Sequence, residues 1–424
     1  MNVLIFTSLY PNNIWPHHGV FVKERMTKFA QLEGCKAKVV APVPYFPSLK
    51  ISRKVQFSQV VQREIIEGLE VYHPRYFMLP KVSMVLHGFL MFLFALPCVQ
   101  KIQRDFQFDL IDAHYVYPDG FAAVLLGSFF KKPVAVSARG SDINLCARFP
   151  LIRRFLQYTL TKADGVIAVC QALKDAMVQL DIAGEKITVI PNGVDTRKFF
   201  PYPKEQARST LGFPYDKRII LSVGGLIPRK GFDLLVKALK MLSTQLHQHD
   251  LYLVIVGEGE SRPELEQLIA ELDLDAQVRL VGSVSHQELY LWYSAADLFC
   301  LASSREGWPN VVLEALASGT PVVATDVWGV PEIIGSESLG VLTKRSVRDI
   351  AEGIASALHK PWQSDMLVAY ARAHTWDQVA LAVLRVFESA LSREPGMAGK
   401  RGVIPQTART AMPSGAESYE HTSR

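Results

Sequence analysis

Short runs of aliphatic and β-branched residues alternate with helix-length stretches along this sequence, stop once, and then begin again. The first set comprises NVLIF, AKVVAP, LEVYHPRYF, DLIDAH, PVAVSAR, DGVIAVC and ITVIPN, with helical patterns between them such as the one from Val20 to Leu32. Strands that read as near-continuous apolar runs are buried on both faces, which calls for a largely parallel sheet covered by helices on either side. From Pro191 to Lys217 the rhythm fails in a stretch rich in Pro, Lys and aromatic residues, which reads as a linker with at most a short helix. The alternation restarts with RIILSVGG and continues through LYLVIVG, VRLVG, DLFCLAS, PVVAT and GVLTK. The expectation is an α/β chain of two Rossmann-like domains, with ligands at the carboxyl ends of the strands and therefore in the cleft between the two sheets.

A length of 424 residues agrees with two cores rather than one. The expected divisions are residues 1–195, residues 196–374, a helix within 375–392 whose packing partner is not readable, and a tail, 393–424. That tail has Gly, Pro, Ser and Thr but no periodicity, and is expected to be disordered.

The five cysteines are odd in number, widely spaced and free of any C-x-x-C pair, which points to a reduced compartment and no zinc site. The N-terminus has no basic n-region, so VLIF reads as a first strand and the protein as cytoplasmic. Charge is uneven. Residues 1–195 hold 22 Lys and Arg against 15 Asp and Glu, while the remainder holds 24 against 26. A basic first half favours an anionic partner, such as a phosphorylated acceptor or an acidic membrane surface. Nucleic acid is disfavoured, because no Lys/Arg block or recognised binding module accompanies the bias.

The segment VSMVLHGFLMFLFALPCV is nearly long enough to cross a bilayer, yet it contains Ser83, His87, Gly88 and Pro97. A buried or interfacial helix is expected instead, with peripheral membrane contact reinforced by nearby basic and aromatic residues.

Chemistry concentrates in REGWPNVVLEALASGTPVVATDVWGVPE, Arg305 to Glu332. It reads as loop, helix, strand and loop, with Pro309 in the first turn and Gly319 ending the helix. Unpaired N–H groups at the start of such a helix favour an anion, and the carboxylates Glu306 and Glu314 can each accept from paired sugar hydroxyls. A phosphate between two sugars fits the set. Upstream, LSVGGLIPRKG ends a strand at Gly224-Gly225, where backbone can approach a ligand, and puts Arg229 and Lys230 beside it. VIVGEGE repeats the glycine pattern at the next strand end.

In this order, GGLIPRKG, VGEGE, LVGSV and REGWPNVVLEALASGTPVVAT resemble the donor domain of the family 4 glycosyltransferases, over about residues 1 to 392. The resemblance implies a GT-B fold and a retaining, metal-independent enzyme, with a nucleoside diphosphate sugar as co-substrate and no cofactor. By it, Arg229 and Lys230 bind the donor diphosphate, Glu306 holds sugar hydroxyls and Glu314 binds the ribose. Main chain at Gly307, Trp308, Pro309 and Asn310 lies against sugar and phosphate, Gly225 borders the site, and Gly257, Gly282 and Ser283 lie near the base. Asp273-Leu274-Asp275 matches a metal-binding pattern but falls at a helix end and reads as solvated.

The first half matches less cleanly. TSLYPNNIWPHHGVFVKE resembles the family's first loop, with Gly19 close to phosphate or acceptor. DAHYVYPDG puts His114 just past a strand, at the cleft edge. In SARGSDIN many relatives carry a histidine that reaches the transferred sugar, where this chain has Arg139. Arginine cannot serve as a base at neutral pH, so a phosphate or acidic group is its expected ligand, with Asp142 orienting it. The reading is transfer of a hexose-type unit to a hydroxyl of a glycan or lipid-linked acceptor. A nucleotide-sugar epimerase and a non-catalytic sugar-nucleotide-binding partner are the rivals.

Overall fold

A computed structural model describes residues 1–45, 56–78 and 85–392. The tail expected to be disordered, and the start of the apolar segment at 82–84, lie outside these residues.

In the first lobe the elements are β1 (Asn2–Phe6), α1 (Val20–Ala30), β2 (Lys36–Val40), β3 (Val43–Tyr45), β4 (Arg63–Ile66), β5 (Leu69–Tyr72), β6 (Arg75–Phe77) and α2 (His87–Asp105). They continue with β7 (Leu110–His114), α3 (Phe121–Phe130), β8 (Val134–Ala138), α4 (Ser141–Asn144), α5 (Pro150–Lys162), β9 (Gly165–Ala168), α6 (Gln171–Val178) and β10 (Ile187–Val189). The main sheet has the order β10-β9-β8-β7-β1-β2-β5-β4 and is parallel except for β4. β7 and β8 are buried at every position, which is why their sequences read as unbroken apolar runs.

LEVYHPRYF was expected to form one strand, and it forms two. Pro74 has no N–H to give to a ladder, so β5 stops at Tyr72 in the main sheet and β6 restarts beside β3. The antiparallel β4 was not anticipated. It returns on β5 through Glu67 and Gly68, both at positive φ, as a two-residue hairpin turn requires.

The second lobe runs α7 (Lys204–Leu211), β11 (Arg218–Val223), α8 (Phe232–Thr244), β12 (Leu251–Val256), α9 (Arg262–Glu271), β13 (Val278–Gly282), α10 (Leu289–Ala295) and β14 (Leu298–Leu301). It ends with α11 (Asn310–Ala317), β15 (Val322–Thr325), α12 (Val330–Ile333), β16 (Gly340–Thr343), α13 (Val347–His359) and α14 (Ser364–Arg372). Its six strands, ordered β13-β12-β11-β14-β15-β16, are all parallel. Only the short α7 interrupts the linker from Pro191 to Lys217.

The last helix, α15 (Trp376–Leu391), leaves the second lobe and packs on the first. Its apolar stripe joins Val3, Ile5 and Phe29, and Phe387 meets the Phe29 ring edge-on at 5.3 Å. The outgoing and returning chains run side by side: Val194 pairs with Thr375, and its N–H donates to the His374 carbonyl at 2.9 Å.

The apolar segment becomes α2, a helix with Pro97 inside it and one face packed on the first lobe. Among the described residues no helix is long and apolar enough to cross a membrane.

Candidate functional site

Glu306 sits in the loop between β14 and α11, nearly buried, and its neighbours explain how a carboxylate is tolerated there. Lys230 Nζ lies 2.6 Å from its Oε1, the Ser303 hydroxyl donates to the same oxygen at 2.7 Å, and Arg229 is 3.2 Å away. Burial alone would raise this carboxyl, but the Lys230 ammonium and the Arg229 guanidinium hold it below the usual range. All three contacts fall on Oε1. That leaves Oε2 to accept from a ligand in the cavity that Glu306 lines. Arg229 is itself fixed through a 2.7 Å bond to the Arg305 carbonyl, so the short turn carrying Arg229 and Lys230 and the loop carrying Glu306 form one unit.

Helix α11 begins directly after this loop, with Pro309 at the N-cap position rather than inside the first turn. It ends before Gly319, whose φ is +77°, as its sequence implied. Glu314 lies one turn in and is nearly buried. The Tyr293 hydroxyl donates to Oε2 at 2.9 Å and His286 Nε2 approaches Oε1 at 3.3 Å. Each oxygen keeps a lone pair for a further donor. Burial would lower the His286 imidazole, but the Glu314 carboxylate raises it above its ordinary 6.5.

The two carboxylates share a 290 Å³ cavity with Lys230, Trp308, Pro309 and Asn310 of the second lobe and with Gly19 of the first. Gly19 caps α1 at φ +65°, and a Cβ there would stand 2.3 Å from the Leu9 carbonyl. Glycine alone lets the first loop fold back so tightly against the start of α1. Gly307 lies behind the cavity, where the lobes touch: a Cβ on it would be 2.2 Å from the Arg139 carbonyl oxygen.

His114 and Arg139 depart from expectation. His114 is the last residue of β7 and fully buried, with Nε2 2.9 Å from Asp112 and Nδ1 facing the Arg139 guanidinium. Burial pushes its imidazole down to about 3, with the Asp112 carboxylate opposing the shift and the Arg139 guanidinium adding to it. A neutral ring that accepts at Nδ1 from Arg139 and turns Nε2 toward Asp112 fits these contacts, and its full burial keeps it from the cavity. Arg139 also donates to Asn192 Oδ1 at 2.9 Å, and Asn192 donates to Asn310 at the start of α11. Its guanidinium therefore serves a chain of bonds from the first sheet to the second lobe. Asp142 does not orient that guanidinium. Its carboxylate accepts the backbone N–H groups of Val116, Arg139 and Gly140 and so holds the loop after β8.

Gly225, Gly257, Gly282 and Ser283 gather at the carboxyl ends of β11, β12 and β13 rather than in the cavity wall. Gly257 donates to the Gly282 carbonyl at 2.8 Å, and the Lys230 stem passes 3.5 Å from the Cβ position of Gly224. Asp273 and Asp275 are exposed at the turn after α9. Several cavity residues were not foreseen, among them Glu24, Asp195, Lys198, His286 and Trp376. The Lys198 ammonium, 2.7 Å from Glu24, ties the linker to α1. Glu24 comes from α1, Asp195 and Lys198 from the linker, Trp376 from α15 and His286 from the loop between β13 and α10, so that only the folded chain brings them together.

Comparisons with known proteins agree with the fold. Residues 203–374 match the family model described as "Glycosyl transferases group 1" and residues 38–198 match "Glycosyltransferase Family 4". The Bacillus subtilis protein described as "Putative teichuronic acid biosynthesis glycosyltransferase TuaC" is 30% identical over 373 residues, 86% of this chain and 92% of that protein. Among solved structures, the sucrose-phosphate synthase of Thermosynechococcus elongatus superposes with a TM-score of 0.75 at 20% identity, over 91% of this chain and 98% of the other. Anabaena HepE in complex with UDP does so with a TM-score of 0.69 at 20% identity, over 92% and 100%.

Proposed function

We propose, because the chain belongs to the family 4 glycosyltransferases and has their GT-B fold, that it is a retaining, metal-independent hexosyltransferase. It would move a sugar from a nucleoside diphosphate sugar to a hydroxyl of a glycan or lipid-linked saccharide, in the synthesis of a cell-surface polysaccharide or glycoconjugate. The observation that carries this reading is Glu306, gripped through one oxygen by Lys230, Arg229 and Ser303 in the cavity that also holds Glu314 and the start of α11. In it the free oxygen of Glu306 accepts hydroxyls of the transferred sugar, while Glu314 accepts those of the ribose. Arg229 and Lys230 take up the charge that develops on the diphosphate as the bond from the anomeric carbon to the phosphate oxygen breaks. The acceptor oxygen bonds to that carbon on the same face, and its proton passes to the departing phosphate oxygen. Closure of the lobes excludes water. His114 and Arg139 act as positioning residues for the cleft wall.

Teichuronic acid, named for the Bacillus relative, supports a polysaccharide product, and UDP in the HepE complex makes uridine nucleotides the first donors to try. On this reading the reaction is cytoplasmic, with the first lobe against the inner face of the membrane.

The test is diphosphate release and product formation by purified protein across a panel of nucleotide sugars, with and without EDTA. Glu306→Gln and Lys230→Ala should each lower kcat by about a hundredfold while the fold survives. Unchanged turnover in both variants would remove the site assignment, and strict Mg²⁺ dependence would remove metal independence.

A further inference from the structure

We infer that the outer face of α2, α3 and α5 docks on an anionic phospholipid bilayer, with the first lobe's cleft rim turned toward the lipid. This deepens the reading of a first lobe that works at a membrane, and rests on it. The first three turns of α2 bury Gly88, Met91 and Ala95 and leave Leu86, Phe89, Leu93 and Phe94 facing solvent, with Phe89 56% and Leu93 57% exposed. Exposed phenylalanines and leucines on one helix face are costly in water and mark a contact surface.

The patch continues onto α5. Phe121, at the start of α3, is buried with its ring 6.2 Å from Phe89 on one side and 5.8 Å from Tyr158 on the other. Phe149 and Leu151, where α5 begins, are each nearly half exposed.

Charge complementarity selects the occupant. Helices α2, α3 and α5 carry Lys101, Arg104, Arg153, Arg154 and Lys162 against the single acid Asp105. Arg148, Arg153 and Arg154 are exposed beside Phe149 and Leu151, and none of them has a carboxylate partner among the described residues. Apolar side chains flanked by unpaired cations fit the interface of an anionic bilayer, where the rings reach the acyl boundary and the guanidinium groups meet phosphate.

Topology aims this face. α3 follows β7, α5 follows β8 by way of α4, and α2 runs back toward β7, so all three helices have their N-terminal ends at the carboxyl edge of the sheet. The Tyr117 hydroxyl bonds the Val85 carbonyl at 2.8 Å and fastens the start of α2 to the loop after β7. The start of α1, which lines the cavity, lies at that same edge. A bilayer on this face would hold the hydroxyl of a lipid-linked acceptor near the cleft.

The test is co-sedimentation of the full chain with vesicles of phosphatidylcholine alone and of phosphatidylcholine mixed with phosphatidylglycerol, with no donor or acceptor present. Binding should require phosphatidylglycerol and weaken as salt is raised. Phe89→Ser with Leu93→Ser should lower the partition coefficient about tenfold, and Arg153→Gln with Arg154→Gln about twenty-five-fold. All four residues are on the surface, so unchanged melting curves should accompany the loss. Equal binding to both vesicle types, or wild-type binding by either double variant, would overturn the inference. So would a dimer in free solution that the Phe89/Leu93 variant separates, without any uptake by lipid. Because the assay needs no turnover, its failure leaves the proposed transfer reaction standing, and an inactive protein that still binds these vesicles would count against the reaction alone.

Discussion

Ionisable residues in the cleft are set by their neighbours more than by their kind. Glu306 titrates below its ordinary 4.5, so the stability it confers is present above that value and is lost as pH falls through the depressed one. His286 behaves in the opposite sense. Its folded value lies above 6.5, so its contribution is full below 6.5 and fades as pH rises through the raised value. Urea unfolding across pH should therefore show His286→Gln to be less stable than wild type in mild acid, with the gap closing in alkali. A gap independent of pH would mean that the ring acts by packing against Phe199 alone. The sequence marked Glu306, Glu314, Arg229 and Lys230, because their motifs are local. It did not mark His286 or Tyr293, whose only signal would have been proximity to Glu314 in space, and it misplaced the Arg139 guanidinium because Asn192 lies 53 residues further on.

At the level of elements, α11 and the loop before it carry the site, and Gly307 is where they meet the first lobe. The loops after β8 and β14 approach so closely that one methyl group would separate them. Gly307→Ala should lower kcat/KM by about a hundredfold, since a shift of about 1 Å in a cleft wall can do so, while the melting temperature changes little. Steady-state kinetics beside a thermal melt would check this; wild-type kinetics would mean that the contact is not needed for turnover. Glu332 makes a second contact of this kind, its carboxylate accepting the Gln171 and Ala172 N–H groups at the start of α6. Strand positions were legible from their apolar runs. The split at Pro74 and the added hairpin strand were not, because both depend on what the neighbouring strand can pair with.

Across the whole molecule, the second lobe is framed by two crossings, the linker going out and α15 coming back. Helix α15 completes the core of the lobe it does not follow in sequence, so the two halves are not independent folding units at that surface. Phe387→Ala should cost about 3–5 kcal/mol, as loss of a fully buried ring does, and chemical denaturation should show the first lobe weakened along with the helix. A variant of unchanged stability would mean that α15 only rests on the surface. The sequence by itself determined two largely parallel sheets, the linker between them and the Glu306 and Glu314 carboxylates with the Arg229 and Lys230 cations, because periodicity and short motifs are written in adjacent residues. Only the tertiary structure decided that α15 belongs to the first lobe, that His114 and Arg139 link the first sheet to the start of α11, and that the apolar helix packs one face on the first lobe and leaves the other exposed. Those facts depend on which surfaces meet, and in a chain of two lobes the meeting surfaces come from residues far apart in order.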